Sequence, residues 1–113
     1  MKFLLLIYGD EARIQAPNPE RMAAYVSYSE SLQRAGVLQG GNRLQRTSTA
    51  KTVRARNGKA SVTDGPFAET KEVLGGFYMI DVPDLDAALA WAARCPGATH
   101  GSIEVRPLWE AAG

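Results

Sequence analysis

The sequence predicts a single α+β domain. Three features carry the prediction: two apolar runs of strand length that do not alternate, two segments with helical spacing, and one strong hairpin signal. The chain has 113 residues, enough for one hydrophobic core but too few for two. Its apolar share of 45% and charged share of 22% are those of an ordinary globular protein. We therefore expect one domain over residues 1–113.

The first third of the chain predicts a strand followed by a helix. Phe3 to Tyr8 is continuously apolar, which is typical of a strand buried on both faces. Ala12 to Pro17 has no periodicity and is predicted to be a loop. A helix is expected from Pro19 to Ala35, because Asn18 suits the N-cap and proline suits the first helical position. Val37 to Gln45 predicts an irregular strand or loop. The expected buried stripe of the helix is Met22, Tyr25, Val26, Ser29 and Leu32.

Thr52 to Thr63 is predicted to be a β-hairpin that turns on Asn57-Gly58, a pair that favours a tight two-residue turn. Counting outward from that turn places Val53 opposite Val62 and Ala55 opposite Ala60, so the apolar residues share one face. The same count places Lys51 opposite Asp64 and predicts an ion pair there.

The last third predicts a strand, a helix and a strand. Gly76 to Val82 is the second nearly continuous apolar run. Asp84 suits the N-cap of a helix that Pro96-Gly97 ends, and Ser102 to Arg106 alternates as a half-buried strand does. The expected buried stripe of this helix is Leu85, Ala88, Leu89, Ala92 and Cys95.

The resulting order of elements resembles the ferredoxin-like βαββαβ sandwich with an added β-hairpin. In such a fold the two non-alternating runs are the central strands, and two helices cover only one face of the sheet. The apolar residues on the other face need a cover, because soluble monomers rarely expose a large apolar patch. A second copy of the chain is the simplest cover, so we expect a homodimer.

The segment Asp64 to Glu72 is predicted to form a fixed corner at the end of a sheet. Gly65 and Pro66 break both strand and helix, Asp64 suits hydrogen bonding within the turn, and Phe67 is expected to anchor the corner in apolar surroundings. Asp64 is the best candidate for a catalytic group; the alternative is that it only stabilises the turn. The predicted ligand-binding residues are Tyr8, Asp10, Asp64 and Tyr78, grouped in one cleft.

Composition and motifs exclude several classes of function. A formal net charge of +1 gives no reason to expect nucleic acid, and the local basic excess between Arg43 and Lys59 is that of a solvated hairpin face. No cofactor motif is present, and the single cysteine, Cys95, allows neither an internal disulfide nor a metal cluster. The N-terminal apolar run is too short for a membrane span or a signal peptide, so a cytoplasmic protein is expected. His100 is expected to be a solvated loop residue, with a general base as the alternative.

Five segments together resemble the DGPF branch of the YCII-related family: residues 8–11, 35–38, 64–72, 75–77 and 84–88. The resemblance implies a dimeric α+β barrel whose function is largely uncharacterised, and it implies a link to sigma-factor regulation in some relatives. Catalytic members of the wider family use a His–Asp pair on the first helix. The matching places fall near Tyr25 and Arg34 here, and neither side chain can transfer protons in that way at neutral pH.

Two functions therefore remain open from the sequence. The first is a homodimeric module that binds a small ligand or a regulatory partner near Asp64. The second is a small-molecule enzyme, with lyase- or isomerase-like acid–base chemistry, in which Asp64 acts together with a tyrosine. The absent His–Asp pair and the absent cofactor motif favour the first.

Overall fold

The computed structural model describes residues 1–110, which form six strands and three α-helices. The strands are β1 (Lys2–Gly9), β2 (Leu38–Arg43), β3 (Lys51–Arg56), β4 (Lys59–Asp64), β5 (Val73–Asp81) and β6 (Ser102–Pro107). The helices are α1 (Glu11–Gln15), α2 (Pro19–Arg34) and α3 (Leu85–Arg94). Short 3₁₀ turns cover Thr47–Thr49 and Pro96–Thr99. The result is a mixed α+β fold with antiparallel sheets.

The main sheet has the strand order β2-β5-β1-β6, with antiparallel neighbours throughout. Its central pair is β1 and β5, the two strands whose sequences do not alternate. Leu4 lies opposite Met79, and Leu6 lies opposite Phe77. A register shift in this pairing lies between Ile7 and Tyr8, next to the end of the sheet where the helix α1 begins.

The core lies between one face of this sheet and the helices α2 and α3. Both helices begin at the predicted caps: Asn18 accepts a hydrogen bond from the Arg21 amide, and Asp84 accepts one from the Ala87 amide. The buried side chains of the core are Phe3, Leu5, Tyr28, Leu32, Ile80, Val82, Ala88, Ala92 and Cys95.

The predicted stripes of both helices were wrong in part. Met22 and Val26 are 61% and 54% exposed, and Leu85 and Leu89 are 48% and 47% exposed. The helix α2 instead buries Tyr28, whose hydroxyl donates a hydrogen bond to the Trp91 carbonyl at 2.6 Å. A tyrosine can fill a core position when its hydroxyl finds a partner, and hydrophobicity alone does not reveal that.

The opposite face of the main sheet has no helix over it. Strand alternation puts Phe3 and Leu5 toward the helices, so Leu4 and Leu6 point to the other face together with their partners Phe77 and Met79. These four side chains, which we call the open sheet face, are only half-buried. The chain itself therefore covers the central strands on one side.

The prediction of a loop from Ala12 to Pro17 was wrong, because the helix α1 occupies most of it. The Asp10 carboxylate caps this helix by accepting a hydrogen bond from the Arg13 amide at 3.1 Å. Ile14 packs so close to Gly75 that a Cβ there would lie 3.0 Å from its Cδ1. A single turn of helix is too short to show periodicity, and a contact with a distant strand stabilises it.

The hairpin formed by β3 and β4 has the predicted register, from Arg56 opposite Lys59 to Lys51 opposite Asp64. Asn57 and Gly58 turn it with φ of 53° and 75°. The hairpin projects from the main sheet: the radius of gyration is 16.0 Å, against about 13 Å for a compact domain of this length.

The prediction of Phe67 as an apolar anchor was wrong. Its side chain is 78% exposed, and the Arg54 guanidinium lies 5.3 Å from its ring centre. The corner that follows Asp64 is instead held through Gly65, whose amide donates to the Ala50 carbonyl at 2.7 Å and whose φ is 95°.

Within residues 1–110, no helix combines the length and the apolar character that a membrane span requires.

Candidate ligand-binding cleft

A cleft of about 670 Å³ opens where α1, the first half of α2, the ends of the central strands and the Pro96–Thr99 turn meet. A volume of this order is typical of sites for small organic molecules. Polar side chains reach it from five separate parts of the fold. Those most relevant to chemistry are Arg13, Arg21, Tyr25, Ser29, Arg43, Tyr78 and His100.

Phenol and hydroxyl groups lie at one side of the cleft. The Ser29 Oγ and the Tyr78 hydroxyl are 2.8 Å apart and share a hydrogen bond. The Tyr78 ring packs edge-on against Tyr28, with ring centres 5.4 Å apart. Burial raises the pKa of Tyr78, although the Ser29 hydrogen bond lowers it. The phenol is therefore protonated at neutral pH and serves as a hydrogen-bonding group, not as a base.

Tyr25 lies beside the turn that follows α3. A Cβ atom at Gly97 would lie 2.7 Å from the Tyr25 hydroxyl, so only glycine leaves room for this phenol. Burial raises the pKa of Tyr25 far above its ordinary value, and the neighbouring Cys95 raises it further, whereas the hydrogen bond from the Gly97 amide lowers it. Burial likewise raises the pKa of the Cys95 thiol, as expected for an inert buried cysteine.

Two arginines converge at the end of α1. The Arg21 Nη2 donates to the Ile14 carbonyl at 3.1 Å and to the Ala16 carbonyl at 2.8 Å. The Arg43 Nη2, which comes from the edge strand β2, donates to the same Ile14 carbonyl at 2.8 Å. The last carbonyls of a helix have no partners within the helix, so these bonds satisfy the end of α1. They also hold two positive groups at the wall of the cleft.

The residues predicted from the sequence do not all meet here. Tyr8, Asp10 and Tyr78 belong to the lining of the cleft, although strand alternation puts the Tyr8 side chain on the same face as Leu6. Asp64 is not among the lining residues. Its side chain is 85% exposed and forms the predicted ion pair with Lys51 on the hairpin.

His100, expected to be a solvated loop residue or alternatively a general base, is exposed and borders the cleft. Sequence reasoning overlooked several other lining residues. Arg21 and Arg43 gave no signal, because their meeting point is the helix α1, which was predicted to be a loop. Ser29 was expected on a buried stripe, but nothing in the sequence paired it with Tyr78, which is 49 positions away.

The described part of the chain offers no cluster of metal ligands. Among residues 1–110, no three His, Cys, Asp or Glu side chains come close enough together to hold a metal ion.

The fold and the cleft define an α+β protein with a small-molecule-sized site between its sheet and its helices. The YCII-related domain matches residues 1–112, so the chain belongs to the YCII-related family. It is 42% identical over 114 residues to the uncharacterized protein R00369 of Rhizobium meliloti (strain 1021), with 96% of this chain and 92% of that protein covered.

A solved structure has a similar fold. It is 5-chloro-2-hydroxyhydroquinone dehydrochlorinase (TftG) from Burkholderia phenoliruptrix AC1100, in complex with 2,5-dihydroxybenzoquinone. The TM-score is 0.58 at 18% identity, with 98% of this chain and 96% of that chain covered. At this identity the similarity extends to the fold alone.

Proposed function

We propose that the protein is a homodimeric module, one domain per protomer, that binds a small organic molecule in the cleft between α1, α2 and the main sheet. The observation that carries the proposal is the convergence of arginine, phenol and hydroxyl groups around a volume of about 670 Å³. Sites for small molecules typically combine an apolar wall with a few polar groups that fix orientation. Here Ile7, Ile14 and Met22 provide apolar wall.

The structurally similar dehydrochlorinase gives further support for the size of the ligand. That protein forms a complex with 2,5-dihydroxybenzoquinone, a molecule with a single six-membered ring. A cleft of about 670 Å³ accommodates a molecule of that size. This compound is accordingly a suitable first probe.

A blocking substitution tests whether ligands use this cleft. Met22 lines the cleft with a side chain that is 61% exposed, whereas Val26, one turn further along the same helix, is 54% exposed and does not line it. Met22→Trp should abolish the thermal shift produced by 2,5-dihydroxybenzoquinone or by hits from a metabolite screen. Val26→Trp is the matched control and should leave it unchanged. If both variants respond as the wild type does, the ligand binds elsewhere and the proposal is wrong.

The proposed homodimer covers the open sheet face. Leu4, Leu6, Phe77 and Met79 form an apolar patch at the centre of the sheet, and a monomer would leave this patch in water. The body is also flat, with extents of 47 × 45 × 19 Å, so stacking two copies through their sheets would give a more compact particle. The strand order β2-β5-β1-β6 agrees with a ferredoxin-like protomer, which supports the dimeric α+β barrel. Membership of the DGPF branch is proposed from the sequence resemblance alone.

Sedimentation of matched variants tests the dimer. Leu6→Lys adds a charge at the centre of the open sheet face and should give a monomer. Val26→Lys adds the same charge to an exposed apolar position on the helical side and should leave the dimer intact. A wild-type protein that sediments as a monomer at micromolar concentration would overturn this part of the proposal.

The catalytic alternative, with Asp64 as an acid–base group, has less support. Its carboxylate is 85% exposed and paired with Lys51, and an exposed pair of this kind does little to tune a catalytic group. Asp64→Asn separates the two functions: it should leave ligand binding in the cleft unchanged but would abolish base catalysis by this residue. Regulation linked to a sigma factor remains a proposal drawn from the family resemblance.

A further inference from the structure

The geometry points to Arg21 and Arg43 as a clamp for an oxyanion, so that the ligand is a small organic acid with an apolar body. This inference rests on the proposed function and specifies its ligand class. The two guanidinium groups donate to one oxygen atom, the Ile14 carbonyl, at 3.1 and 2.8 Å. Their Nη2 atoms therefore lie within about 6 Å of each other, although they come from α2 and β2.

The two arginines have no directly paired carboxylate in the part of the chain that the structure describes. Neither arginine forms a salt bridge with any carboxylate of residues 1–110. Glu11 lies on α1, the helix whose last carbonyls the two arginines contact. Its carboxylate accepts hydrogen bonds from the Thr47 amide and hydroxyl, both at 2.9 Å, and not from either arginine. Paired like charges without a counter-ion repel each other, and a bound anion would relieve that repulsion.

The donors that remain suit an oxyanion. A guanidinium has five N–H groups in a planar fork, which matches the oxygens of a carboxylate or a phosphate. Within residues 1–110, the only side-chain hydrogen bonds of these two arginines are those of the Nη2 atoms to the Ile14 and Ala16 carbonyls. Those bonds fix the orientation of the groups and leave other N–H donors for a ligand. Such preorganisation reduces the entropy that binding would otherwise lose.

The charge of the cleft as a whole agrees with an anionic ligand. Arg13 adds a third guanidinium to the lining, whereas Asp10 is the one acidic residue among the described lining residues. The Asp10 carboxylate caps α1 through one oxygen and keeps its charge, so the described lining carries three guanidinium groups against one carboxylate. The apolar wall then favours a ligand whose remaining part is apolar, so free inorganic phosphate should bind more weakly than an aromatic acid.

Matched probes test the clamp. Benzoate and benzamide have nearly the same shape and differ in charge, and phenyl phosphate distinguishes a phosphate preference from a carboxylate preference. By calorimetry, benzoate or phenyl phosphate should bind the wild type at least about tenfold more tightly than benzamide does, because charge-assisted hydrogen bonds are the stronger kind. Added sodium chloride should weaken the binding of the acids but not that of benzamide.

Variants then assign the preference to the two arginines. Arg21→Gln and Arg43→Gln should each reduce the acid-to-amide selectivity about tenfold or more, whereas Arg34→Gln, at the far end of α2, should retain it. A purely structural role of the arginines at the end of α1 would lower the melting temperature and leave this selectivity unchanged, which would overturn the clamp. If benzoate and benzamide bind with equal affinity and Met22→Trp blocks both, the clamp is wrong but the cleft is still the ligand-binding site. If neither acid binds, the clamp is also wrong. The proposed function is then tested separately, by asking whether Met22→Trp abolishes the thermal shifts found in the metabolite screen.

Discussion

Gly97→Ala tests the side of the cleft formed by Tyr25. The new Cβ would lie 2.7 Å from the Tyr25 hydroxyl and 3.1 Å from the Ile7 Cγ2, closer than ordinary contact. Overpacking of this kind costs about 1–3 kcal/mol. In a domain of this size that loss lowers the melting temperature by roughly 4–12 °C. Melting should be followed at one fixed protein concentration, since a dimer's melting temperature depends on it.

A double-mutant cycle identifies the atom responsible. Tyr25→Phe removes the oxygen that the new methyl group would meet first, so Gly97→Ala should cost less in the Phe background than in the wild type. We expect a coupling of about 1 kcal/mol between the two sites, as is found for residues in direct contact. Gly40→Ala is the control: nothing lies within 4 Å of a Cβ there, so its effect should stay below about 1 kcal/mol. An equal cost of Gly97→Ala in both backgrounds would refute the position assigned to the Tyr25 hydroxyl.

Three further predictions concern other contacts. Hydrogen bonds from Thr47 lower the pKa of Glu11, so they add stability above about pH 4.5 that is lost as the pH falls through the lowered pKa. Glu11→Gln should therefore lower the free energy of unfolding at neutral pH but not in strong acid, as measured by urea unfolding. An equal loss at the two pH values would contradict this. Tyr28→Phe leaves the part-buried Trp91 carbonyl without its donor and should cost about 1 kcal/mol in urea unfolding; no measurable loss would be inconsistent with the bond. Asp64→Asn breaks an exposed ion pair and should cost less than about 1 kcal/mol in the same assay; a larger loss would mean that the hairpin depends on it.

Features set by neighbours in the chain were predictable from the sequence. The hairpin register follows from the Asn57-Gly58 turn and the alternation on either side of it, so even the pairing of Lys51 with Asp64 was predicted correctly. The two long helices begin at their predicted caps because capping joins residues only three positions apart.

The cleft was not predictable in the same way. Its key contacts join residues far apart in the sequence, such as Arg43 with Ile14, 29 positions away. They also depend on α1, a helix so short that it depends on its cap and on the contact between Ile14 and Gly75. The structure places Tyr8, Asp10 and Tyr78, which the sequence analysis grouped by their positions at or near strand ends, in the lining of the cleft. Asp64 was grouped with them, because nothing in the sequence indicated that the hairpin projects from the main sheet.

The protonation of the cleft's phenols bears on the choice between binding and catalysis. Burial raises the pKa of Tyr25 and that of Tyr78, so both phenols keep their protons at neutral pH. Neither can abstract a proton from a ligand, but both can donate a hydrogen bond to an oxygen atom. Together with two guanidinium groups that also only donate, they would suit a ligand rich in hydrogen-bond acceptors, which supports the proposed binding function.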